Sequence, residues 1–412
     1  MRNRKIAFTY YRQFLIIASC TLLLTCSPAK EKVEINLDQA TWSKIESSAR
    51  ATEVNFMMWV GDPFINRYIN NYVVPEVKAR FGVEMNILSG QGGDIVALTV
   101  AQQQSGGTGE VDMVWINGET FYQLRQLTAL YGPFTDKLPS SEFVDWENPF
   151  IGTDFQQPVE GYEAPWGNVQ LALIYNDEKV LNPPKNRTEL AEWVKQNPGK
   201  FTLATEFTGL TFLKSLLIDI AGGGDALAGD FDQDKYDKYA AELWEYINGI
   251  KPYFWKNGET FPETVAQMHQ MFANTELWFT LSNNDGEVDN KIAQGLFDDN
   301  SRAYVLESGT IQNSHYLGIM NNSANKAGAM TVINFMMSPE AQLKKMQPDV
   351  WGDGTILSMD KLPQDWKEKF ESIPGRTRSP KRNKIQKLAL MEIAPEYMIK
   401  LNEDFRKFVI EN

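Results

Sequence analysis

Apolar runs alternate with amphipathic stretches along most of the chain, and this alternation predicts strands followed by helices. Residues 54–60 are almost entirely apolar, as is typical of a strand buried on both faces of a parallel sheet. Asp62 and Pro63 then form a typical helix start, and apolar residues recur at helical spacing up to Gly82. The order strand, turn, helix repeats over 83–104 and 111–127. It predicts an α/β lobe with a mainly parallel sheet, preceded by a short helix over 38–50.

A second α/β unit is predicted after about residue 164. Strands are expected at 169–175, 201–205 and 277–281, and helices at 188–195 and 210–220. A strand at 316–320 and a helix at 325–337 continue the α/β pattern close to the end of the chain. The sequence therefore predicts two α/β lobes, and no internal repeat relates them.

The amino terminus predicts export. Residues 1–13 are basic and polar, and the apolar run that follows is twelve residues long. That run is shorter than the ~20 residues that a membrane-spanning helix needs. A basic start with a short apolar core indicates a secretory signal, which we place at residues 1–25, with a polar tether at 26–37.

A lipid anchor is expected at the end of this signal. Leu23-Leu24-Thr25-Cys26 resembles the lipobox of bacterial lipoproteins, in which the Cys becomes the lipid-carrying amino terminus. Thr25 departs from the usual Gly, Ala or Ser. Cys20 is the alternative, since Ala18-Ser19 fits better but leaves a shorter apolar core. An ordinary cleaved signal with two incidental cysteines is the third possibility.

The composition excludes several classes of function. The net charge of the 412-residue chain is −13, so the surface repels phosphate backbones, and we expect no nucleic-acid partner. Contact with a membrane is expected only through the lipid anchor. Two cysteines and two histidines are too few for a Cys-based zinc or iron–sulfur site and argue against a His-rich metal site. We therefore expect no metal and no cofactor.

Polar and aromatic residues gather where the predicted strands end. Ligands of open parallel sheets lie outside these carboxyl ends, where glycine lets the backbone approach a ligand and an aromatic ring forms a rigid wall. Such a set suits one small polar molecule held between two lobes. The residues chosen for this role are Trp59, Gly61, Asp62, Gly92, Trp115, Asn117, Glu119, Glu206, Phe207, Asn283 and Asn284, with Gln91, Gly93, Thr208, Ser282 and Asp285 beside them.

Each of these residues also has a purely structural interpretation. Asp62 and Glu119 could only cap their helices, and Trp59 and Trp115 could pack in the core. Gly92 could simply permit a turn. The binding hypothesis therefore depends on the joint placement of these residues and not on any one of them.

Sharper motifs are absent or incomplete. Asp230, Asp232 and Asp234 begin like a calcium loop, but Lys235 stands where that loop needs glycine. The sequence contains neither a Walker lysine motif nor a GxSxG elbow. His315 is interpreted as a satisfied polar residue near the connection between the lobes and not as a base.

Several segments together resemble the family 1 extracellular solute-binding proteins, the receptors of bacterial ABC importers. They are Phe56-Met57-Met58-Trp59-Val60-Gly61-Asp62, residues 109–119 (GEVDMVWINGE), Ala164-Pro165-Trp166-Gly167, residues 173–177 (LIYND), residues 318–320 (GIM), residues 324–327 (ANKA) and residues 335–342 (FMMSPEAQ). Within that family the chain resembles the YnjB-type branch most. The resemblance runs from about residue 40 to the end.

This resemblance implies a type II two-lobed fold, in which each lobe is a mainly parallel sheet flanked by helices and crossover strands form a hinge. Lobe 1 would comprise 38–165 and 311–345, and lobe 2 would comprise 166–310 and 346–412. It adds Trp166 and Trp351 as weaker candidates for ligand contact. It also implies an exported, periplasmic receptor, expected to be a monomer, that delivers its solute to an ABC permease and ATPase.

The ligand is the least determined part of the expectation. Acids beside indoles suit a cation, so an organic cation such as a thiamine-like or polyamine compound comes first and a neutral sugar second. The rival is a lipid-anchored glycosidase-like hydrolase that uses two carboxyls among Asp62, Glu119 and Glu206. Each of these acids starts a predicted helix, where the dipole favours the ionised form and weakens a general acid. We therefore expect a receptor and not an enzyme.

Overall fold

The computed structural model of this protein describes residues 35–106 and 109–411. The predicted signal at 1–25, Cys20 and Cys26 lie outside these residues. Within them, residues 37–411 belong to one compact unit. No helix of the described part is long and apolar enough to cross a membrane.

Strands and helices alternate through the first part of the chain, as predicted. The strands are β1 (Glu53–Met58), β2 (Glu84–Ser89), β3 (Met113–Ile116), β4 (Thr153–Asp154), β5 (Gln157–Pro158), β6 (Glu163–Gln170), β7 (Ala172–Asn176), β8 (Phe279–Ser282), β9 (Ser301–Tyr304), β10 (Thr310–Ile319) and β11 (Ala389–Leu390). The α-helices are α1 (Trp42–Ala49), α2 (Pro63–Tyr68), α3 (Val74–Phe81), α4 (Gly93–Ser105), α5 (Gly118–Gln126), α6 (Pro149–Gly152), α7 (Arg187–Gln196), α8 (Phe207–Ala221), α9 (Gln233–Ile250), α10 (Val265–Ala273), α11 (Glu287–Ala293), α12 (Lys326–Met337), α13 (Pro339–Met346), α14 (Gln364–Glu371), α15 (Arg382–Ile385) and α16 (Pro395–Phe405). One π-helical turn, Ile69–Val73, joins α2 to α3, and another, Arg406–Ile410, follows α16.

The first sheet has six strands in the order β11-β10-β3-β1-β2, with β6 paired to β10. Strand β1 is parallel to β2 and β3, whereas β10 is antiparallel to β3 and β6. The predicted parallel arrangement is therefore confirmed for β1, β2 and β3, the strands that precede Trp59, Gly92 and Asn117.

The second sheet has three strands in the order β8-β7-β9, and both pairs are antiparallel. The expectation of a mainly parallel sheet in the second lobe is wrong in this detail. The predicted strand at 201–205 is absent from the sheet, although residues 201–204 are buried. Its backbone pairs with irregular segments instead, since Trp255 donates to the carbonyl of Phe201 (2.8 Å) and Thr205 donates to that of Pro262 (3.0 Å). The mixed α/β class itself is confirmed.

Two connections join the sheets. Strand β6 of the first sheet is followed, after Leu171 alone, by β7 of the second, and β9 of the second sheet is followed by β10 of the first. All residues of β6 and β10 are buried. These paired strands form the crossover between the sheets that the resemblance implies.

Each sheet carries its own apolar core. The core of the first sheet includes Phe56, Met113 and Ile333, and that of the second includes Leu173, Leu213 and Phe279. The sequence-based division placed everything after residue 345 in lobe 2, but the segment 351–370 contributes several side chains to the first core. They are Trp351, Ile356, Leu357, Leu362 and Phe370.

Candidate functional site

A cavity of about 160 Å³ lies where the ends of the two sheets face each other. This volume is about tenfold what a single water molecule needs, roughly 10–15 Å³, so the cavity is large enough for a small solute. Most of the residues expected in the site line it: Trp59, Asp62, Gly92, Trp115, Asn117, Glu206, Phe207, Asn283, Asn284 and Trp351. Gln91, Thr208 and Ser282, expected beside them, line it as well.

Helix starts position the acids of the cavity. The Asp62 side chain caps α2, because its Oδ1 accepts hydrogen bonds from the N–H groups of Phe64 (2.7 Å) and Ile65 (3.1 Å). Glu206 caps α8, and its Oε1 accepts from the N–H groups of Thr208 (3.4 Å) and Val265 (3.2 Å). Both acids therefore cap a helix and also line the cavity. A role in helix capping and a role in ligand binding do not exclude each other.

Three residues expected to contact the ligand, Gly61, Trp166 and Glu119, are not part of the cavity lining, and neither are Gly93 and Asp285, which were expected beside them. Gly61 lies beneath the Trp59 indole, where a Cβ would come within 2.5 Å of the ring. Trp166 is fully buried, and its indole packs against those of Trp115 (centroids 4.9 Å apart) and Trp351 (5.0 Å).

Glu119 is the third. Its carboxyl oxygen Oε2 is buried and has no hydrogen-bond partner among the described residues. Burial raises the pKa of Glu119, and the nearby Lys214 ammonium only partly opposes this effect. The cavity residue Gly92 lies next to Glu119, since a Cβ on Gly92 would lie 3.9 Å from Glu119 Oε1. Its φ of 39° is a conformation that favours glycine.

Sequence reasoning missed two further acids and assigned no role in the cavity to either histidine. Glu287 lies in the first turn of α11, directly after the strand-end segment 282–286, and its place at this helix start could have suggested it. Asp353 lies in a loop just after Trp351 and has no local signal. His315 was interpreted as a satisfied polar residue, yet it lines the cavity, with Nε2 3.0 Å from Asp353 Oδ2. His269 lines it as well.

A lysine on α11 neutralises part of this acidity. Lys291 Nζ lies 2.5 Å from Asp62 Oδ2 and 3.0 Å from Glu287 Oε1. Burial would raise the pKa of Asp62, but the Lys291 charge and two backbone N–H groups outweigh it and leave that pKa below its usual value. Burial and the Asp62 charge raise the pKa of Glu287 despite the attraction of Lys291.

A second buried lysine neutralises Asp353. Lys345 Nζ lies 2.5 Å from Asp353 Oδ2 and donates to the carbonyl oxygens of Gly354 (2.8 Å) and Trp166. Burial favours the neutral form of Asp353, but His315 and Lys345 outweigh it and hold its pKa below the usual range.

Glu206 differs from the other cavity acids. It makes no ion pair within the described part of the chain, and burial raises its pKa although the Thr208 side chain and the backbone N–H groups nearby oppose the shift. Asn283 beside it donates from Nδ2 to Thr208 Oγ1 (3.1 Å), while its buried Oδ1 has no partner among the described residues. The cavity thus offers a carboxyl without a cationic partner, that of Glu206, and an amide oxygen without a hydrogen-bond partner among the described residues, that of Asn283.

The site does not have the form of a metal centre. No group of three or more His, Cys, Asp or Glu side chains within 35–106 and 109–411 is arranged to hold a metal ion. The cavity is suited to hold a small solute between aromatic walls and hydrogen-bond acceptors.

Comparisons with known proteins agree with this geometry. A family model described as bacterial extracellular solute-binding protein matches residues 72–371. The protein YnjB of Escherichia coli K12 is 34% identical over 336 residues, which cover 80% of this chain and 86% of YnjB.

Solved structures share the fold. The spermidine/putrescine substrate-binding protein PotD of Streptococcus pneumoniae has a TM-score of 0.60 at 16% identity and covers 87% of this chain and 98% of its own. The periplasmic binding protein AfuA of Actinobacillus pleuropneumoniae, with fructose-6-phosphate bound, has a TM-score of 0.62 at 11% identity and covers 87% and 99%. At such identities the likeness concerns the two-lobed fold alone.

The family model spans most of the described chain, and YnjB is similar over most of its own length. The proteins matched are solute-binding proteins and not enzymes, so the hydrolase alternative is set aside. The chain therefore belongs to the bacterial extracellular solute-binding proteins, the substrate-binding receptors of ABC transporters.

Proposed function

We propose that this receptor captures a small organic cation in the cavity between the two sheets and delivers it to an ABC permease and ATPase. The observation that carries the proposal is Glu206, a cavity carboxyl without a cationic partner among the described residues. A ligand ammonium would supply that partner, since a charge-assisted hydrogen bond is stronger than a neutral one.

The walls of the cavity support a cationic ligand. Trp59, Trp115, Trp351 and Phe207 line it, and aromatic faces attract cations by about 0.5–2 kcal/mol each. Trp59 and Trp115 meet edge to face, with centroids 6.5 Å apart and planes at 81°, so their faces point in different directions. Such walls suit a compact cation with an apolar part.

The balance of charge supports the same conclusion. Four carboxyls, those of Asp62, Glu206, Glu287 and Asp353, line the cavity, while neither Lys nor Arg is among its lining residues in the described chain. The two nearby ammonium groups, those of Lys291 and Lys345, are already paired. An anionic ligand would meet repulsion here.

A thiamine-like or polyamine compound remains the first choice, and a neutral sugar is the second. PotD, named for spermidine and putrescine, shares the fold, but so does AfuA with a sugar phosphate, so the fold by itself does not select the ligand. A sugar would use the indoles and the oxygens of Glu206 and Asn283, but it would leave Glu206 without a cationic partner.

Native mass spectrometry followed by calorimetry tests the proposal. The chain from Ser27 onward retains the whole compact unit and can be purified without added solute. A cationic adduct that is lost on denaturation is expected, and Glu206→Gln should weaken its binding about tenfold to a hundredfold, the value of a hydrogen bond to a charged group. Glu263→Gln, at an exposed position, is the matched control. A neutral adduct, or a cation bound equally by Glu206→Gln, would refute the proposal.

We also propose export with a lipid on Cys26, a tether at 26–37, and a monomeric receptor whose lobes follow the division predicted from the sequence, except that 351–370 joins lobe 1. Radiolabelled palmitate should be incorporated by the wild-type protein and by Cys20→Ala but not by Cys26→Ala. The reverse pattern would place the anchor at Cys20, and labelling of none of the three proteins would refute the anchor.

A further inference from the structure

Lys291 occupies a position in which a ligand ammonium would be expected. Its side chain is only 4% exposed and belongs to α11, on the side of the second sheet. Its Nζ contacts Asp62 Oδ2 at 2.5 Å and Glu287 Oε1 at 3.0 Å. Asp62 belongs to the first sheet's side, because it follows β1 and caps α2. The ammonium therefore bridges the two sides of the cavity.

The groups around this ammonium are those that would bind an organic cation. Two carboxylates supply charge and hydrogen-bond acceptors, and the Phe64 ring lies 5.4 Å from Nζ, within the range of cation–π attraction. Both acids line the cavity, whereas Lys291 is not among the lining residues. The protein's own ammonium thus reaches the pair of acids from behind the cavity wall.

Asp62 divides its two oxygens between two tasks. Oδ1 caps α2 through Phe64 and Ile65, and Oδ2 contacts Lys291. A helix cap needs only the first of these contacts. The second contact joins residues 229 positions apart, so it is built by the tertiary fold and not by the local helix start.

From these contacts we infer that Lys291 is a specificity-determining residue, a tethered cation that fills one ammonium site of the cavity and restricts the receptor to ligands with a single cationic centre. This inference rests on the proposed function and sharpens it. With Asp62 and Glu287 engaged by Lys291, Glu206 is the acid left for the ligand. A diamine or polyamine would have to place its second ammonium against an occupied pair. Single-centre cations are therefore favoured over polyamines.

Removing the tethered cation should open the second site. In Lys291→Ala, the carboxyls of Asp62 and Glu287 lose their partner and the side-chain volume is vacated. We expect 1,4-diaminobutane to bind Lys291→Ala at least tenfold more tightly than it binds the wild-type protein, measured by calorimetry at pH 7.5 and low ionic strength. Adding Asp62→Asn to Lys291→Ala should abolish the gain, because the acid that would receive the second ammonium is then neutral.

Two further comparisons separate this effect from a general loss of positive charge. Lys369→Ala removes a half-exposed lysine whose partner is Asp365 on α14, and it should bind 1,4-diaminobutane as the wild-type protein does. n-Propylammonium chloride should raise the Tm of Lys291→Ala, whereas n-propanol should not, because only the former replaces the missing ammonium.

The inference is overturned if 1,4-diaminobutane has equal affinity for the wild-type protein and a folded Lys291→Ala, including no affinity for either. If Lys291→Ala does not fold, the inference is tested by the Tm of the wild-type protein alone. A greater rise in Tm with 1,4-diaminobutane than with n-butylammonium would then overturn the inference, and an equal or smaller rise would support it. A neutral natural ligand would refute the proposed function without removing the gain of diamine binding, so the two failures can be told apart.

Discussion

Gly61 and the indole of Trp59 fit together so closely that a Cβ at position 61 would lie 2.5 Å from the ring atoms Cε2 and Cζ2. Real Cβ atoms do not approach ring carbons to this distance, so a side chain at 61 must displace the indole. Since Trp59 lines the cavity, the orientation of this wall depends on the absence of a side chain two residues later.

Gly61→Ala should therefore impair binding more than folding. Loss of one aromatic wall should reduce the affinity for a cationic solute by about 1–2 kcal/mol, or roughly fivefold to thirtyfold. Calorimetry with the solute that co-purifies with the wild-type protein, together with near-ultraviolet circular dichroism of the indoles, measures both effects. Gly249→Ala is the control, because its Cβ meets no atom within 4 Å. Unchanged affinity and an unchanged tryptophan signal would contradict the predicted displacement.

Lys214 should be among the most sensitive positions for stability. Its ammonium is fully buried, pairs with Glu392 and lies 3.7 Å above the Phe155 ring. Lys214→Met leaves Glu392 as an uncompensated buried charge, which typically costs about 3–5 kcal/mol. Urea unfolding of Lys214→Met and of Lys214→Met/Glu392→Gln measures this cost. The double variant should recover part of the loss, and a single variant as stable as the wild-type protein would show that the pair is dispensable.

Asp154 and Glu163 should make the protein less stable as the pH rises. Both are buried, Asp154 Oδ2 and both Glu163 oxygens lack partners among the described residues, and burial raises both pKa values well above the usual range. The negative charge of Glu392 raises the pKa of Asp154 further, and the negative charge of Asp154 raises that of Glu163. The pKa of such a carboxyl is higher in the folded than in the unfolded state. Its contribution to the free energy of unfolding is therefore complete below the unfolded-state pKa, and it is lost as the pH rises through the folded-state pKa. Each unit of difference corresponds to about 1.4 kcal/mol.

Urea unfolding at pH 5, 6.5 and 8 tests this expectation. The free energy of unfolding of the wild-type protein should fall over this range more steeply than that of Asp154→Asn/Glu163→Gln, whose side chains do not titrate. Asp136→Asn, at an exposed carboxyl, should retain the wild-type slope. Parallel slopes for all three proteins would mean that the two buried acids do not titrate in this range.

His269 should remain neutral at physiological pH. Burial and the Lys291 charge lower its pKa to about 4, although its Nε2 lies 3.0 Å from the carbonyl oxygen of Leu281. The chain has only two histidines, so labelling histidine with ¹³C gives two ring signals that His315→Gln assigns. The His269 signal should keep a constant shift from pH 8 to 5. A midpoint near 6.5 would show that the ring is not held as the structure places it.

Local signals in the sequence were sufficient for much of the site. Asp62 followed by Pro63 predicted a helix start, and the Asp62 side chain caps α2 as expected. Strand ends were predicted within a few residues, and because parallel strands bring their carboxyl ends to one edge, Trp59 and Asn117 were placed together without knowledge of the fold. The resemblance to solute-binding proteins, which relied on several short segments, is confirmed.

Other features could not be read from the sequence because they depend on residues that are far apart in the chain. The antiparallel second sheet arises from the pairing of β7 with β8 and β9. The spacing of apolar residues does not show which strands pair. The apolar segment 201–205 was therefore predicted as a strand, although it pairs with no strand of the described chain. Trp166 looked like a ligand contact, but it is enclosed by Trp115 and Trp351.

By itself, the sequence determined the α/β class, the helix starts and the gathering of acids and indoles at the strand ends, because each follows from residues within a few positions of one another. Only the tertiary structure decided which of those acids stays available. It places Lys291 against Asp62 and keeps Glu119 out of the cavity lining, and it leaves Glu206 without a cationic partner among the described residues. Charge pairing depends on distances of a few ångströms between side chains, and the packing of the two sheets sets those distances.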